Sequence, residues 1–473
     1  MKCFYSLLLL FFAVIADAQD IKKTNNDIIL KEVVHLFNKK LTDSIYMLFN
    51  EPFKKAVAYP IFRNVSETEM YPLGKIRKTT FEKFESGISM YKAELDSANL
   101  ALFISADSLG KLSAYGFKPY KPPYPEIRNR KLSDNSMKTF LSKKVDSIIQ
   151  PFMLATKTVA LSVGVFHNGK FHYYNYGETK KGNDTLPTSE SIYEIGSITK
   201  TFTGLLLANA VVDGKINLQD PVNKYLPEDI PDLKFENDTM RVVHLSNHTS
   251  GLPRMPVNML FADPKDPYKN YDTQNLYAFL KHVKLLSKPG ETFLYSNLGV
   301  GLLGVLLENV YKEPLENLMK VYIIQKAGMK HTTQTLSDSD KNLFLPGYNR
   351  NGEQVPAWEF KALAGAGALR SNTKDLLLYA KYNMSIPKDL KEQRALKISQ
   401  TETYQKDKQR VALNWFLQNR GNGYVLFHDG QTGGYKSFLA INQRTKNAVV
   451  LLSNNEASHD EEGINLLNYL DRN

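Results

Sequence analysis

The sequence predicts an α+β protein in two parts: a small α+β unit, then a larger unit in which an antiparallel sheet drawn from both ends of the domain lies beside an all-helical lobe. Three observations predict this. A proline-stiffened run, Lys118-Pro119-Tyr120-Lys121-Pro122-Pro123-Tyr124-Pro125, divides the chain. Ahead of it, a helical pattern is followed by a meander of strand-like segments. Behind it, strand-like segments cluster at the two ends and helix-period sequence fills the middle. The implied division is a leader at 1–18, a small unit at 19–118, a linker at 119–134 and a large unit at 135–473.

The leader is read from Lys2, the apolar run from Leu7 to Ile15, and the small residues Ala16 and Ala18 before Gln19. The run is too short to span a bilayer, so cleavage after Ala18 is expected. Cys3, the only cysteine, lies within the leader and ahead of its apolar run, which is not where a lipid-modified cysteine stands. The mature chain is then expected to have no disulfide, no thiol nucleophile and no cysteine-based zinc site. An exported protein, periplasmic or secreted and without a transmembrane anchor, is the expectation.

In the small unit, Ile28, Ile29, Val33, Val34, Leu36, Phe37, Leu41, Ile45 and Leu48 recur at helical spacing over about 26–50. Segments 88–95, 100–106 and 111–117 read as antiparallel strands, the last two joined by Asp107-Ser108-Leu109-Gly110. No acid–base pair stands out there, and no chemistry is assigned to it. This unit resembles the cystatin- or NTF2-like accessory domains found ahead of some exported hydrolases. In the large unit, a helix is expected over 133–150, then a hairpin of 159–166 and 171–176 turning over His167-Asn168-Gly169-Lys170. Strands are expected at 424–427, 437–442 and 448–453, with a closing helix over about 461–470.

With 473 residues, 42% hydrophobic and 23% charged, the chain has the composition of a globular protein rather than a disordered one. Its net charge of +11 survives loss of the leader, because Lys2 and Asp17 cancel. The lysines are scattered, with no arginine-rich stripe and no nucleic-acid-binding module, so a nucleic-acid partner is not expected.

The chemistry centres on Tyr193-Glu194-Ile195-Gly196-Ser197-Ile198-Thr199-Lys200. Gly196 permits a sharp turn, and Phe202, Leu205, Leu206, Leu207, Ala210 and Val211 supply the apolar face of a helix reaching about Val212. Lys200 stands one turn beyond Ser197 on the same face. A serine hydroxyl becomes a nucleophile when a neighbour takes its proton, and an amine can do so once burial or nearby positive charge lowers its pKa. The helix N-terminus adds N–H groups and partial positive charge where an oxyanion would form.

Two further segments qualify as companions. In Tyr295-Ser296-Asn297, a phenol held partly ionised near an ammonium can move a proton, and the Asn297 amide can orient a substrate. In His428-Asp429-Gly430-Gln431, which follows a strand, Gly430 lets substrate lie along a sheet edge and Gln431 offers a second oxyanion N–H. His244 and His248 have the i, i+4 spacing of a helical metal pair, but Thr249-Ser250-Gly251-Leu252-Pro253 reads as a loop and no acidic third ligand is near. No metal and no cofactor are expected.

In this order the three segments resemble the motifs of the serine β-lactamase and penicillin-binding protein superfamily, and most closely its class C β-lactamase-like branch of carboxypeptidases, aminopeptidases and esterases. His244-Leu245-Ser246-Asn247-His248-Thr249-Ser250-Gly251-Leu252-Pro253 resembles a loop of that branch, as do Gly214 to Val222 with Lys224 to Pro227, and the glycine-rich Ala364 to Ser371. The likeness covers about 135–473. It implies a β-lactamase/transpeptidase-like fold, Ser197 as nucleophile, Lys200 as base or proton relay, Tyr295 sharing proton transfer and Asn297 positioning substrate. His428 would replace the lysine of the third motif, and the N–H groups of Ser197 and Gln431 would form the oxyanion hole. The implied substrate is a small molecule or peptide, cell-wall material included. The sequence does not give the oligomeric state.

Asp429 stands where the family often places a hydroxyl that binds a substrate carboxylate. Pointing into the cleft, it would repel penicillins and D-Ala-D-Ala termini, and efficient β-lactam hydrolysis would then not be the main activity. A carboxypeptidase or β-lactamase, and a non-catalytic sensor of the same fold, are the alternatives to an ester or amide hydrolase.

Overall fold

The computed structural model describes residues 22–85, 87–120, 132–259, 265–420 and 423–472. The expected leader and most of the proline-rich connector lie outside these residues. The chain forms two compact units, Met1–Pro123 and Tyr124–Asn473.

In the first unit the helix expected over 26–50 is broken in two: α1 (22–38) and α2 (Thr42–Met47). Lys40 takes a left-handed conformation at φ 57°. Leu41 N–H then donates back to Leu36 O at 3.0 Å, a C-terminal cap that ends α1 without a glycine. Two short helices, α3 (Glu51–Ala56) and α4 (Tyr59–Val65), lead to four antiparallel strands in chain order. These are β1 (Ile76–Glu85), β2 (Ile88–Leu95), β3 (Asn99–Ala106) and β4 (Leu112–Pro119). Strand β1 was not expected: its pairing with β2 shifts register after Ile76 and after Phe81, which breaks the alternation that marks a strand. Val33, Phe37, Ile45 and Phe49 pack on Tyr91, Leu102, Ile104 and Leu112 to close a core.

The second unit begins with α5 (Phe140–Thr156), displaced from the expected 133–150. A capping box sets its start, Thr139 and Ser142 each accepting the other's backbone N–H, while Ser133 bridges to Tyr176. The hairpin of β5 (Ala160–His167) and β6 (Lys170–Gly177) turns over Asn168 and Gly169, both at positive φ. The middle of the unit holds α6 (Thr199–Val212), α7 (Val242–Ser246), α8 (Asn297–Tyr311), α9 (Thr373–Asn383) and α10 (Leu390–Gln400), among shorter helices. Six strands follow: β7 (Tyr404–Lys406), β8 (Gln409–Val411), β9 (Phe416–Asn419), β10 (Tyr424–Gln431), β11 (Lys436–Asn442) and β12 (Asn447–Ser453). Helix α11 (Asp460–Leu470) closes the unit.

These strands and the hairpin form one antiparallel sheet, ordered β7-β8-β9-β10-β11-β12-β5-β6. The pairing of β12 with β5, with Leu451 opposite Val163, joins the two ends of the domain as the sequence suggests. Leu161, Val163, Phe438, Ala440, Val449 and Leu451 face α5 and α11. Leu439, Ile441, Val450 and Leu452 face the helical lobe. Both faces are covered, so every residue of β11 and β12 is buried and alternation disappears from their sequence. Strands β7 to β9 were not expected, and β10 runs four residues beyond the expected 424–427, which places His428, Gly430 and Gln431 within it.

Candidate active site

Ser197 lies in a single 3-10 turn, Gly196–Ile198, that feeds directly into α6. The turn is held from both sides. Behind it, Tyr193–Glu194 pairs with Arg370–Ser371, and the buried Glu194 carboxyl accepts from Trp358 N–H at 2.8 Å and lies 3.5 Å from Arg370 Nη2. Burial pushes Glu194 up to about 7 against the pull of Arg370. In front of it, Ser437 Oγ donates to Ile195 O at 2.7 Å. Gly196 takes φ 47°, and a Cβ there would sit 2.9 Å from Gln431 N. A Cβ on Gly430 would sit 2.1 Å from Ile195 O and 2.8 Å from Ser197 N. The lack of side chains at Gly196 and Gly430 is thus what brings β10 against the nucleophile turn, with the backbone of Gln431 beside that of Ser197.

Helix α6 is not amphipathic as expected: it is buried all round from Thr199 to Ala210. Its polar groups are satisfied internally, Thr201 Oγ1 donating to Ile198 O, Thr203 Oγ1 to Gly365 O and Asn209 Nδ2 to Leu205 O. Lys200 is carried into this interior with no measurable exposure. Its Nζ lies 2.9 Å from Ser197 Oγ and donates to Ala366 O at 2.6 Å. Burial first, and the Arg254 charge second, hold Lys200 well below the usual lysine range, and the opposing pull of Asp429 is the smallest contribution. A neutral amine with a lone pair at hydrogen-bond distance from a serine hydroxyl is able to accept its proton.

Tyr295 is hydrogen-bonded to Ser197, and Lys200 Nζ lies 5.0 Å from the centre of its ring. Burial raises its pKa, against the bond to Ser197 and the charge of Arg254. The partly ionised phenol expected from the sequence runs against this, because burial favours the protonated form of Tyr295. A protonated Tyr295 is able to donate a proton. Asn297 opens α8 behind the cap formed by Ser296 Oγ, which accepts Gly299 N–H at 2.9 Å. Its Nδ2 donates to Tyr268 OH at 3.0 Å, and its buried Oδ1 has no partner among the described residues.

His428 is buried on the Ser197 side of β10, Nδ1 donating to the Asp429 carbonyl at 2.7 Å, and Nε2 is left without a partner among the described residues. Burial lowers it to about 4, so it is neutral at ordinary pH. The next residue points the other way. Asp429 binds Lys436 Nζ at 2.5 Å, and Lys436 also reaches Asp460 at 2.9 Å, on the α11 face of the sheet. Although burial pulls it upward, Lys436 holds Asp429 below the usual carboxylate range. The repulsion expected of a cleft-facing Asp429 has no basis in this geometry.

His244 and His248 are separated by the end of α7, so they do not share a helix face. His244 Nδ1 accepts Arg241 N–H at 3.1 Å. His248, at φ 62°, accepts Ser296 N–H at 3.2 Å and packs its ring 4.4 Å from that of Tyr295. Among the described residues no cluster of three or more His, Cys, Asp or Glu could hold a metal. His248 and the Ala366 carbonyl are parts of the site that residue-level reasoning did not assign. Both lie in segments singled out by resemblance, but neither carries a chemical signal of its own in the sequence.

A family model described as Beta-lactamase matches residues 145–472. A beta-lactamase of Pseudomonas fluorescens is 32% identical over 278 residues, 59% of this chain and 74% of that protein. A solved class C beta-lactamase superposes with TM-score 0.62 at 26% identity, over 71% of this chain and 98% of its own. A beta-lactamase/D-alanine carboxypeptidase from Pseudomonas syringae gives TM-score 0.62 at 22% identity, over 71% and 99%.

Proposed function

The chain belongs to the beta-lactamase family of serine hydrolases, and on that premise we propose that it is an exported enzyme that cleaves an ester or a peptide or amide bond through an acyl-enzyme at Ser197. One observation carries the reading: Lys200 Nζ lies 2.9 Å from Ser197 Oγ in an interior whose burial pulls the amine well below the usual lysine range. In the proposed cycle Lys200 takes the Ser197 proton as Oγ attacks the carbonyl carbon. The oxyanion forms against the N–H groups of Ser197 and Gln431, each contributing about 10²- to 10³-fold. Tyr295, neutral and bonded to Ser197, gives its proton to the leaving oxygen or nitrogen and recovers one from Lys200. Water then attacks the ester at Ser197 by the same proton path in reverse. The free Oδ1 of Asn297 suits an N–H donor on the acyl group, which supports amide-bearing substrates.

A second reading, β-lactams or D-Ala-D-Ala peptides as substrates, is supported by the orientation of Asp429, which removes the repulsion that would disfavour them. A panel of p-nitrophenyl esters, D-amino-acid peptides and a chromogenic cephalosporin, with Ser197→Ala as blank, decides between them. Turnover undiminished in Ser197→Ala would sink both, and a wild type that turns over no member of the panel would leave the non-catalytic alternative. Export is supported by the composition of 1–18, and no helix among the described residues is long and apolar enough to cross a membrane. N-terminal sequencing of protein recovered from outside the cytoplasm should begin at Gln19.

A further inference from the structure

Among the described residues, the basic side chains that bear on the site are committed, with one exception. Lys200 is fully buried and bound to Ser197 and Ala366. Lys436 is clamped by Asp429 and Asp460 on the opposite face of the sheet. Arg370 donates to Trp358 O at 2.8 Å and to Gln334 O, beside Glu194. His428 and His248 are buried and neutral. Arg254 differs: its guanidinium carbon lies 5.0 Å from the centre of the Tyr295 ring, the residue is exposed, and its side chain has no hydrogen bond or ion pair among the described residues. Its backbone is fixed independently, because Arg254 O accepts the N–H groups of Asn297 at 3.0 Å and Leu298 at 3.2 Å. A cation is therefore held at the mouth of the site, next to Tyr295 and Asn297, by contacts that engage none of its five N–H donors among the described residues.

We infer that Arg254 is the residue through which this site selects substrates bearing a carboxylate. The inference rests on the acyl-enzyme reading and adds to it a substrate class and a side of the cleft. Sequence patterns assign such a role to the strand bearing His428, but that strand offers a neutral imidazole on the Ser197 face and a neutralised lysine on the other. Anion recognition accordingly passes to the Tyr295 side. An arginine there can bind a carboxylate through two parallel N–H bonds, stronger than neutral ones and free of the cost of breaking an existing ion pair. An arginine that merely covers the Tyr295 ring would be indifferent to substrate charge.

Two matched ester pairs test this. Mono-p-nitrophenyl glutarate against p-nitrophenyl valerate puts the charge in the acyl group, and 3-acetoxybenzoate against phenyl acetate puts it in the leaving group. The wild type is expected to favour the charged member of at least one pair in kcat/KM. Arg254→Ala should lower that preference by about 10- to 100-fold, Arg254→Lys should retain part of it, and Arg254→Glu should reverse it. High salt should erode the preference in the wild type. Equal losses on charged and neutral members of both pairs would overturn the inference while Ser197→Ala, inactive on all four esters, left the hydrolase reading standing. Undiminished turnover by Ser197→Ala would overturn both.

Discussion

Lys200 and Lys436 are both buried, at 0% and 3% exposure, in the same unit. Lys436 sits between the carboxylates of Asp429 and Asp460, on the face of the sheet covered by α11. Lys200 sits on the other face, where its partners are a hydroxyl and a carbonyl oxygen and where Arg254 adds positive charge. The difference teaches what burial does to an amine. Given carboxylates, the amine ties three segments together through ion pairs; deprived of them, the same side chain is pushed toward the neutral form, the form able to act as a base.

Removing the amine from the catalytic side should have the largest effect. Lys200→Met fills the same volume without the lone pair, and kcat/KM on any substrate of the wild type should fall by about 10²- to 10⁴-fold, with an unchanged far-UV spectrum to show that the fold survives. Nearly as large is the effect expected of Gly430→Ala. The added methyl must displace β10 from Ile195 O and Ser197 N, and a shift of an ångström in the oxyanion donors costs about 10²-fold in kcat. Retention of full activity would mean that Gln431 N–H is not part of the oxyanion hole.

On the structural side the prediction is of stability rather than rate. Lys436→Met leaves Asp429 and Asp460 facing each other, and urea unfolding should show a loss of about 1–3 kcal/mol, the lower part of the range for a broken buried pair because the two carboxylates are 43% and 34% exposed. Adding Asp429→Asn should recover part of that loss. A fall in turnover of Lys436→Met as large as that of Lys200→Met would erase the contrast between the two lysines.

Much of this contrast was legible in the sequence, and the rest fails for identifiable reasons. The three-residue step from Ser197 to Lys200 survives into the structure because a 3-10 turn and a helix both keep those side chains on one side. The depth at which Lys200 lies was hidden, since its neighbours Thr201 and Thr203 are polar, yet both bond to backbone carbonyls within the interior. The direction of Asp429 was undecidable without knowing that β10 continues to Gln431 and pairs there with Lys436. Asp429-Gly430 has the composition of a turn, and only the packing of Ile195 on Gly430 makes it strand. In the first unit the break at Lys40 carries no glycine or proline to announce it, whereas β2, which alternates buried and half-buried residues, was read to its ends.

The rate of Ser197 acylation by a p-nitrophenyl ester, followed in a single turnover across pH, tests the central claim most directly. A base must be unprotonated to act, so the rate should climb with pH through the pKa of Lys200 and then level. The account predicts that the plateau is reached well below about 10.4, the value of a free lysine, and that the profile is lost in Lys200→Met. A rate that keeps rising in proportion to hydroxide through that pH, with the same profile in Lys200→Met, would contradict it.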